Sequence, residues 1–270
     1  MYEPRRGEGS RRPRRTWALA AAGGGGSLPL CQLLLQRAPP AGAFSNGQMS
    51  ARHPTLLTPA GYAFSIWGVI FGGLVLYTVW QALPRQRYAA LAAALTPPLT
   101  LAVLATTTWT LVFSYEQLGA SMLVMLLLLA ALSWAYARAR PLILAGTVPG
   151  WPAWFLSLYL GWILLATVLN LTLGLRDALG WQLPKPAVLP ANLLLALLAA
   201  GIALRLAWRG RDPLLPLPLP VAWGLLGTWV AWHGPLPDAV YTGLGAGAGV
   251  ALVMPIMAWL EHRRRQRAAR

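Results

Sequence analysis

Long apolar segments, separated by short groups of charged and turn-forming residues, organise this chain. Splitting the sequence at those groups gives eight segments whose lengths suit a helix that crosses a bilayer. They are Trp17–Gln36, Tyr62–Leu83, Ala89–Tyr115, Leu118–Ala137, Trp151–Leu175, Val188–Trp208, Leu214–His233 and Ala239–Leu260. The pattern therefore predicts an all-α integral membrane protein that crosses the membrane about eight times.

Composition supports this prediction and excludes a soluble domain. Hydrophobic residues make up 57% of the 270 residues, and charged residues only 11%, against about 25% in a soluble protein. The net charge of +15 does not indicate a nucleic-acid partner, because the arginines separate apolar segments instead of gathering on one patch. The expected surroundings are a lipid bilayer.

The basic residues also predict an orientation. If the eight segments span the membrane, 18 of the 22 lysines and arginines fall on one side, together with both termini. The other side holds only Arg37, Arg52, Arg176 and Lys185. By the positive-inside rule, both termini are cytoplasmic, and we expect the plasma (inner) membrane to be the location.

Three segments carry features that disturb a plain helix. The first contains four consecutive glycines and Pro29, and its basic lead with the Ala41-Gly42-Ala43 site also fits a cleaved signal peptide, which would leave seven spans. Pro97-Pro98 should end or kink the first turn of the third segment. Prolines crowd the start of the seventh and predict a short helix after Pro220.

The fifth segment places polar and aromatic side chains on one face of an apolar helix. Tyr159, Trp162, Ala166 and Asn170 follow one another at helical spacing. A side-chain amide facing lipid without a partner costs about 1 to 3 kcal/mol, so Asn170 should point into a bundle or a cavity. Similar aromatic stripes occur in the second segment, at Trp67 and Phe71, and in the third, at Thr106, Trp109 and Phe113.

These stripes carry a resemblance to a known family. The positions that carry it are Pro59, Gly61, Tyr62 and Phe64; Trp109 and Phe113; and Tyr159, Trp162, Ala166, Thr167, Leu169 and Asn170. The chain resembles the TspO/MBR family of tryptophan-rich sensory proteins, related to the translocator protein or peripheral benzodiazepine receptor. The resemblance implies a TspO-like five-helix transmembrane bundle over residues 17–175, here with about three further transmembrane helices.

The resemblance also implies a site and a class of ligand. In the family, aromatic stripes line a cavity that accepts porphyrins or other tetrapyrroles, sterols and drug-like molecules, and the long loop that ends at Gly61 would close it. The implied ligand-binding residues here are Trp67, Phe71, Trp109, Phe113, Tyr159, Trp162, Ala166 and Asn170. No cofactor is required. The predicted regions are a basic tail (1–16), the five-helix region (17–175), a three-helix extension (176–262) and a second basic tail (263–270).

Alternatives to ligand contact remain open at these residues. Trp67, Trp109 and Trp162 fit plain helix packing as well as ligand contact, and Asn170 favours a hydrogen bond between helices. Glu116 is expected in a short external loop. Glycines at Gly243, Gly245, Gly247 and Gly249 would allow close helix approach, within the chain or in a homodimer.

Two classes of function fit the sequence. The first is a sensory or regulatory membrane protein that binds an apolar planar ligand, and the second is a transporter or permease for an apolar small molecule. Neither a catalytic set nor a metal site is predicted, because His53, His233 and His262 are far apart and Cys31 is the single cysteine. Light-dependent degradation of porphyrins is implied by the resemblance only.

Overall fold

The computed structural model describes residues 36–55, 58–83, 89–148, 150–151, 154–180 and 217–231. Every regular element in these ranges is helical, which confirms the predicted all-α class. The elements are α1 (Asn46–Arg52), a 3-10 helix (Gly61–Ser65), α2 (Ile66–Ala82), α3 (Ala89–Ser114), α4 (Leu118–Leu144), α5 (Trp154–Leu179) and α6 (Pro218–Ala231).

Four of these elements are long and apolar enough to cross a membrane. They are the segment from the 3-10 helix through α2, and the helices α3, α4 and α5, which correspond to the second to fifth predicted spans. The seventh predicted span corresponds to α6, a shorter apolar helix of 14 residues. The first, sixth and eighth predicted spans lie outside the described residues.

The bounds of α3, α4 and α6 differ from the predicted ones, and prolines lie within all three helices. Helix α3 runs through Pro97 and Pro98 without ending there, and α4 continues past Ala137 to Leu144. Helix α6 begins at Pro218 instead of after Pro220. In α6, Pro218 and Pro220 lie in the first turn. Backbone N–H groups in the first turn have no partner within the helix, so these two prolines remove no helical hydrogen bond.

Helix α5 is the most buried of the four described spans. In its most apolar window, 61% of the residues are buried, against 39 to 44% in the other three spans. Glycines allow its neighbours to approach closely: a Cβ at Gly73 on α2 would lie 2.6 Å from Cβ of Phe155, and one at Gly174 would lie 2.6 Å from Cβ of Met122 on α4. Helix α5 therefore contacts α2 and α4 across glycine surfaces.

Helix α6 packs on the N-terminal half of α5 and on the 3-10 helix. Gly161 of α5 faces the backbone carbonyl of Leu217, and a Cβ at Gly227 would lie 2.8 Å from Cβ of Ala63. Two hydrogen bonds hold this contact: Trp223 Nε1 donates to the carbonyl oxygen of Ala63 at 2.9 Å, and the N–H of Ala60 donates to the carbonyl oxygen of Gly227 at 3.0 Å.

Helix α1 lies within the long loop that precedes the second span. It begins at a capping box, in which the Ser45 hydroxyl accepts from the N–H of Gln48 and the Gln48 side chain accepts from the N–H of Ser45. Arg52 Nε donates to Glu116 Oε1 at 2.7 Å, and His53 Nε2 lies 3.1 Å from the same oxygen. The loop is thus tied to the turn between α3 and α4.

Glu116 occupies an unusual backbone position in that turn. Its φ is +59°, and its N–H and that of Gln117 bond back to Phe113 and Val112. This is the Schellman end of a helix, where glycine is the commonest residue at the left-handed position. The hydrogen bond from Arg52, followed by that from His53, holds the pKa of the Glu116 carboxyl below its ordinary value.

Candidate ligand-binding site

Six aromatic side chains from three helices meet in the interior of the bundle. We call them the aromatic cluster: Trp67 and Phe71 from α2, Trp109 and Phe113 from α3, and Tyr159 and Trp162 from α5. Each of the six side chains is buried. The helical spacing in the sequence predicts this meeting, because each stripe presents its rings on one face.

Four of the six rings form a column between α2 and α3. Phe71, Trp67, Trp109 and Phe113 follow in that order, with ring centroids 5.2, 6.2 and 5.0 Å apart and successive interplanar angles of 23°, 28° and 15°. The widest step is the one between Trp67 and Trp109. The ring planes are thus roughly parallel along the column, an arrangement that also suits a planar aromatic guest.

Two aromatic side chains of helix α5 contact this column edge to face. The rings of Tyr159 and Trp162 stand at 74° and 83° to Trp67, with centroids 5.9 and 6.4 Å away. The Tyr159 hydroxyl forms a hydrogen bond with Thr106 on α3. Because the hydroxyl proton of Thr106 is directed at the carbonyl oxygen of Ala102, Tyr159 donates in this pair.

Asn170 ties three helices together. Its Oδ1 accepts from Trp109 Nε1 at 2.9 Å and lies 3.2 Å from Ser121 Oγ on α4, whose single hydroxyl proton it shares with the carbonyl oxygen of Leu118 at 2.8 Å. Its Nδ2 donates to the carbonyl oxygen of Ala166 at 2.9 Å. The amide therefore makes hydrogen bonds between helices, as favoured from the sequence, and Ala166 takes part through its backbone.

Trp67 differs from Trp109 in the state of its indole nitrogen. Trp67 is 6% exposed, and its Nε1 has no hydrogen-bond partner among the described residues. A buried donor without a partner costs about 1 to 3 kcal/mol. The aromatic cluster thus holds one unused donor beside the widest step of the ring column.

Phe64 extends the aromatic cluster outward. Its ring meets Trp162 edge to face, with centroids 6.1 Å apart. Phe64 also lines a cleft of about 200 Å³, together with Ser50, Ala51 and Ala231 among others. In the sequence, Phe64 is part of the pattern at the start of the second span, and nothing there indicated that it contacts the ligand-binding residues. Nothing in the sequence predicted that α6 would reach this site.

A second group of rings lies further along α2. Tyr77 packs on Trp80 and Phe155, with centroids 5.7 and 5.0 Å away, and Trp80 meets Trp151 at 5.7 Å. Tyr77 and Trp80 lie one helical turn apart on α2. The step of six residues from Phe71 to Tyr77 breaks the spacing of three or four, so no stripe in the sequence indicated this second group.

Few polar groups lie in or next to the aromatic cluster. They are the indole N–H groups, the hydroxyls of Tyr159 and Thr106, and the amide of Asn170. Within the described ranges, no group of three or more His, Cys, Asp or Glu side chains is placed to hold a metal ion. The cluster therefore presents ring faces, apolar surface and the indole N–H of Trp67, which has no partner among the described residues.

The helical bundle and its buried aromatic cluster define a polytopic membrane protein with a tryptophan-rich interior. A model of the family described as "TSPO-like protein" matches residues 31–257, and the chain belongs to this family. The match extends past Leu175 and includes α6. The comparisons with curated proteins and with solved structures gave no match.

Proposed function

We propose that the protein is a sensory or regulatory membrane protein that binds an apolar planar molecule in the aromatic cluster. The ligand class is a tetrapyrrole such as a porphyrin, or a flat sterol-like molecule. The observation that carries the proposal is the buried indole N–H of Trp67, a member of the ring column, which has no hydrogen-bond partner among the described residues. A guest with an acceptor atom would use this donor.

The ring column supports a planar guest in particular. Trp67 and Trp109 are 28° from parallel and 6.2 Å apart. A planar molecule between two rings needs about 7 to 8 Å, since each aromatic contact takes about 3.5 to 4 Å. Binding between them would therefore require these two rings to move apart. Apolar stacking on both faces would favour the bound state.

Quenching of tryptophan fluorescence by protoporphyrin tests the proposal. We expect saturable quenching by the purified protein, and about tenfold weaker binding in Trp162→Leu, since one aromatic contact is worth about 0.5 to 1.5 kcal/mol. Trp154→Leu is the matched control, because Trp154 lies on the same helix but is 54% exposed. Equal affinities in both variants would contradict the proposed site.

Flux separates this function from the transporter alternative. In sealed vesicles, a permease would move the apolar solute at a rate that depends on the protein, whereas a binding protein would show saturable binding without added flux. Protein-dependent flux that Trp162→Leu abolishes would favour the transporter. The absence of such flux together with binding supports the sensory function.

We further propose that both termini are cytoplasmic and that the protein resides in the plasma (inner) membrane. The distribution of basic residues supports this orientation. Reporter fusions after Arg140 and Lys185 test it, with a cytoplasmic signal expected from the first and an external signal from the second. Reversed signals would overturn the orientation.

A further inference from the structure

The cleft beside Phe64 lies between three separate parts of the chain. Its walls include Ser50 and Ala51 from α1, Phe64 from the 3-10 helix, and Ala231 at the end of α6. Its lining is mainly apolar, and Ser50 contributes a hydroxyl. The cleft is therefore outside the aromatic cluster and is formed by the loop and α6 as much as by the spans.

The volume of the cleft limits what it accepts. An apolar cavity of about 150 Å³ is large enough to bind benzene, so a cleft of about 200 Å³ accepts one ring or two fused rings. A whole tetrapyrrole does not fit. One pyrrole or benzene ring at the edge of a larger ligand does.

Phe64 is shared by this cleft and the aromatic cluster. It lines the cleft and also packs edge to face against Trp162, with ring centroids 6.1 Å apart. The Trp162 ring in turn lies 6.4 Å from the Trp67 ring, between centroids. The Phe64 side chain thus connects the cleft to the rings that would hold a ligand.

Helix α6 fixes the outer wall of the cleft. The hydrogen bonds from Trp223 to Ala63 and from Ala60 to Gly227 attach α6 to the segment that carries Phe64. Tyr62 also meets Trp223 edge to face at 5.4 Å. The position of Ala231, and with it the width of the cleft, follows from these contacts.

We propose that the cleft is an outer binding site for a one-ring or fused two-ring aromatic group. A ligand held there reaches the aromatic cluster when the Phe64 ring turns aside. This second step rests on the proposed function, whereas occupancy of the outer site does not. Helix α6 is part of the outer site because Ala231 lines it.

Protection of an introduced thiol tests occupancy of the outer site. In a Cys31→Ser background, Ser50→Cys places a thiol in the cleft, and Gln117→Cys places one on an exposed turn near the same loop. The probe is indole, and the readout is the rate of maleimide labelling. At ten times its Kd, indole should slow labelling of the cleft thiol about tenfold by mass action, and leave the control rate unchanged. Equal effects at both positions would overturn the outer site.

Phe64→Ala tests the passage to the cluster. Losing one ring contact worth about 1.4 kcal/mol from the closed state should raise the protoporphyrin association rate about tenfold. Indole protection of the cleft thiol should persist in this variant. An unchanged association rate would overturn the passage, even with protection intact. If the unaltered protein bound no protoporphyrin, the proposed function would fail, and indole protection would still decide the outer site.

Discussion

Arg138 on α4 donates its Nε–H to the backbone carbonyl oxygen of Ala94 on α3, at a distance of 3.1 Å. In an uninterrupted helix, that carbonyl would accept from the N–H four residues later. The residue there is Pro98, which has no N–H. A side chain from the neighbouring helix therefore supplies the hydrogen bond that the proline removes, and α3 continues through the Pro97-Pro98 pair.

Replacement of Arg138 should therefore depend on the residue at position 98. We expect Arg138→Met to lower the free energy of unfolding by about 1 kcal/mol, because the Ala94 carbonyl loses its partner. In a Pro98→Ala background, the new N–H at that position satisfies the carbonyl, and the same replacement should cost close to nothing. Denaturant titration in mixed micelles measures both differences. Equal costs in the two backgrounds would show that this hydrogen bond does not support α3.

Replacing the two buried tryptophans by phenylalanine should give different results. Trp109→Phe removes the hydrogen bond to Asn170, whereas Trp67→Phe removes a donor that has no partner among the described residues. Both changes delete the same ring volume, so the difference combines the lost hydrogen bond of Trp109 with the relieved cost of the unpartnered donor of Trp67. We expect Trp109→Phe to be at least about 1 kcal/mol more destabilising, as measured by the free energy of unfolding. Equal losses would mean that the Asn170 contact is energetically neutral.

Acid should loosen the attachment of α1. Because the pKa of Glu116 is lowered in the folded protein from 4.5, chiefly by the hydrogen bond from Arg52, its contribution is fully present above that ordinary value. It is lost as the pH falls through the lower folded pKa. Hydrogen-exchange protection factors of α1 should therefore drop in that acidic range. Glu116→Gln should show reduced protection already at neutral pH, and an unchanged acid response in this variant would contradict the role of the carboxylate.

Gly161 should tolerate no side chain. A Cβ there would collide with the backbone carbonyl of Leu217, so Gly161→Ala should displace α6 and destabilise the protein by about 1 to 3 kcal/mol. Gly72→Ala on α2 is the control, because a Cβ there meets no atom within 4 Å. Hydrogen exchange of α6 amides and the free energy of unfolding distinguish the two. Native protection of α6 in Gly161→Ala would contradict the close contact.

The spans are predictable from the sequence because a bilayer leaves the backbone few alternatives. Backbone groups in lipid must bond within their own helix, so an apolar segment of sufficient length becomes a helix, as in α2 to α5. The end of α4 is harder to predict. Arg138 lies inside the helix because its long side chain reaches a backbone acceptor, and a charge alone does not mark a helix end.

The residues of the site are predictable from the sequence, but their hydrogen-bond partners are not. Helical spacing brings the stripes of α2, α3 and α5 to one place. Whether an indole N–H finds an acceptor depends on helix rotation and depth, so Trp109 reaches Asn170 and Trp67 does not. The docking of α6 rests on Gly224 and Gly227 of α6 and on Gly161 of α5, and no sequence spacing relates the glycines of the two helices. These contacts are visible only once the chain is folded.

The hydrogen bond from Trp223 to Ala63 joins residues 160 positions apart. At ordinary rates of translation, the ribosome needs on the order of ten seconds to make such a stretch. During that interval, the helices that carry the ring column can already lie in the membrane while α6 is still being synthesised. Until the chain has been synthesised through Ala231, the 3-10 helix that carries Phe64 therefore lacks the contacts that α6 supplies through Trp223 and Gly227.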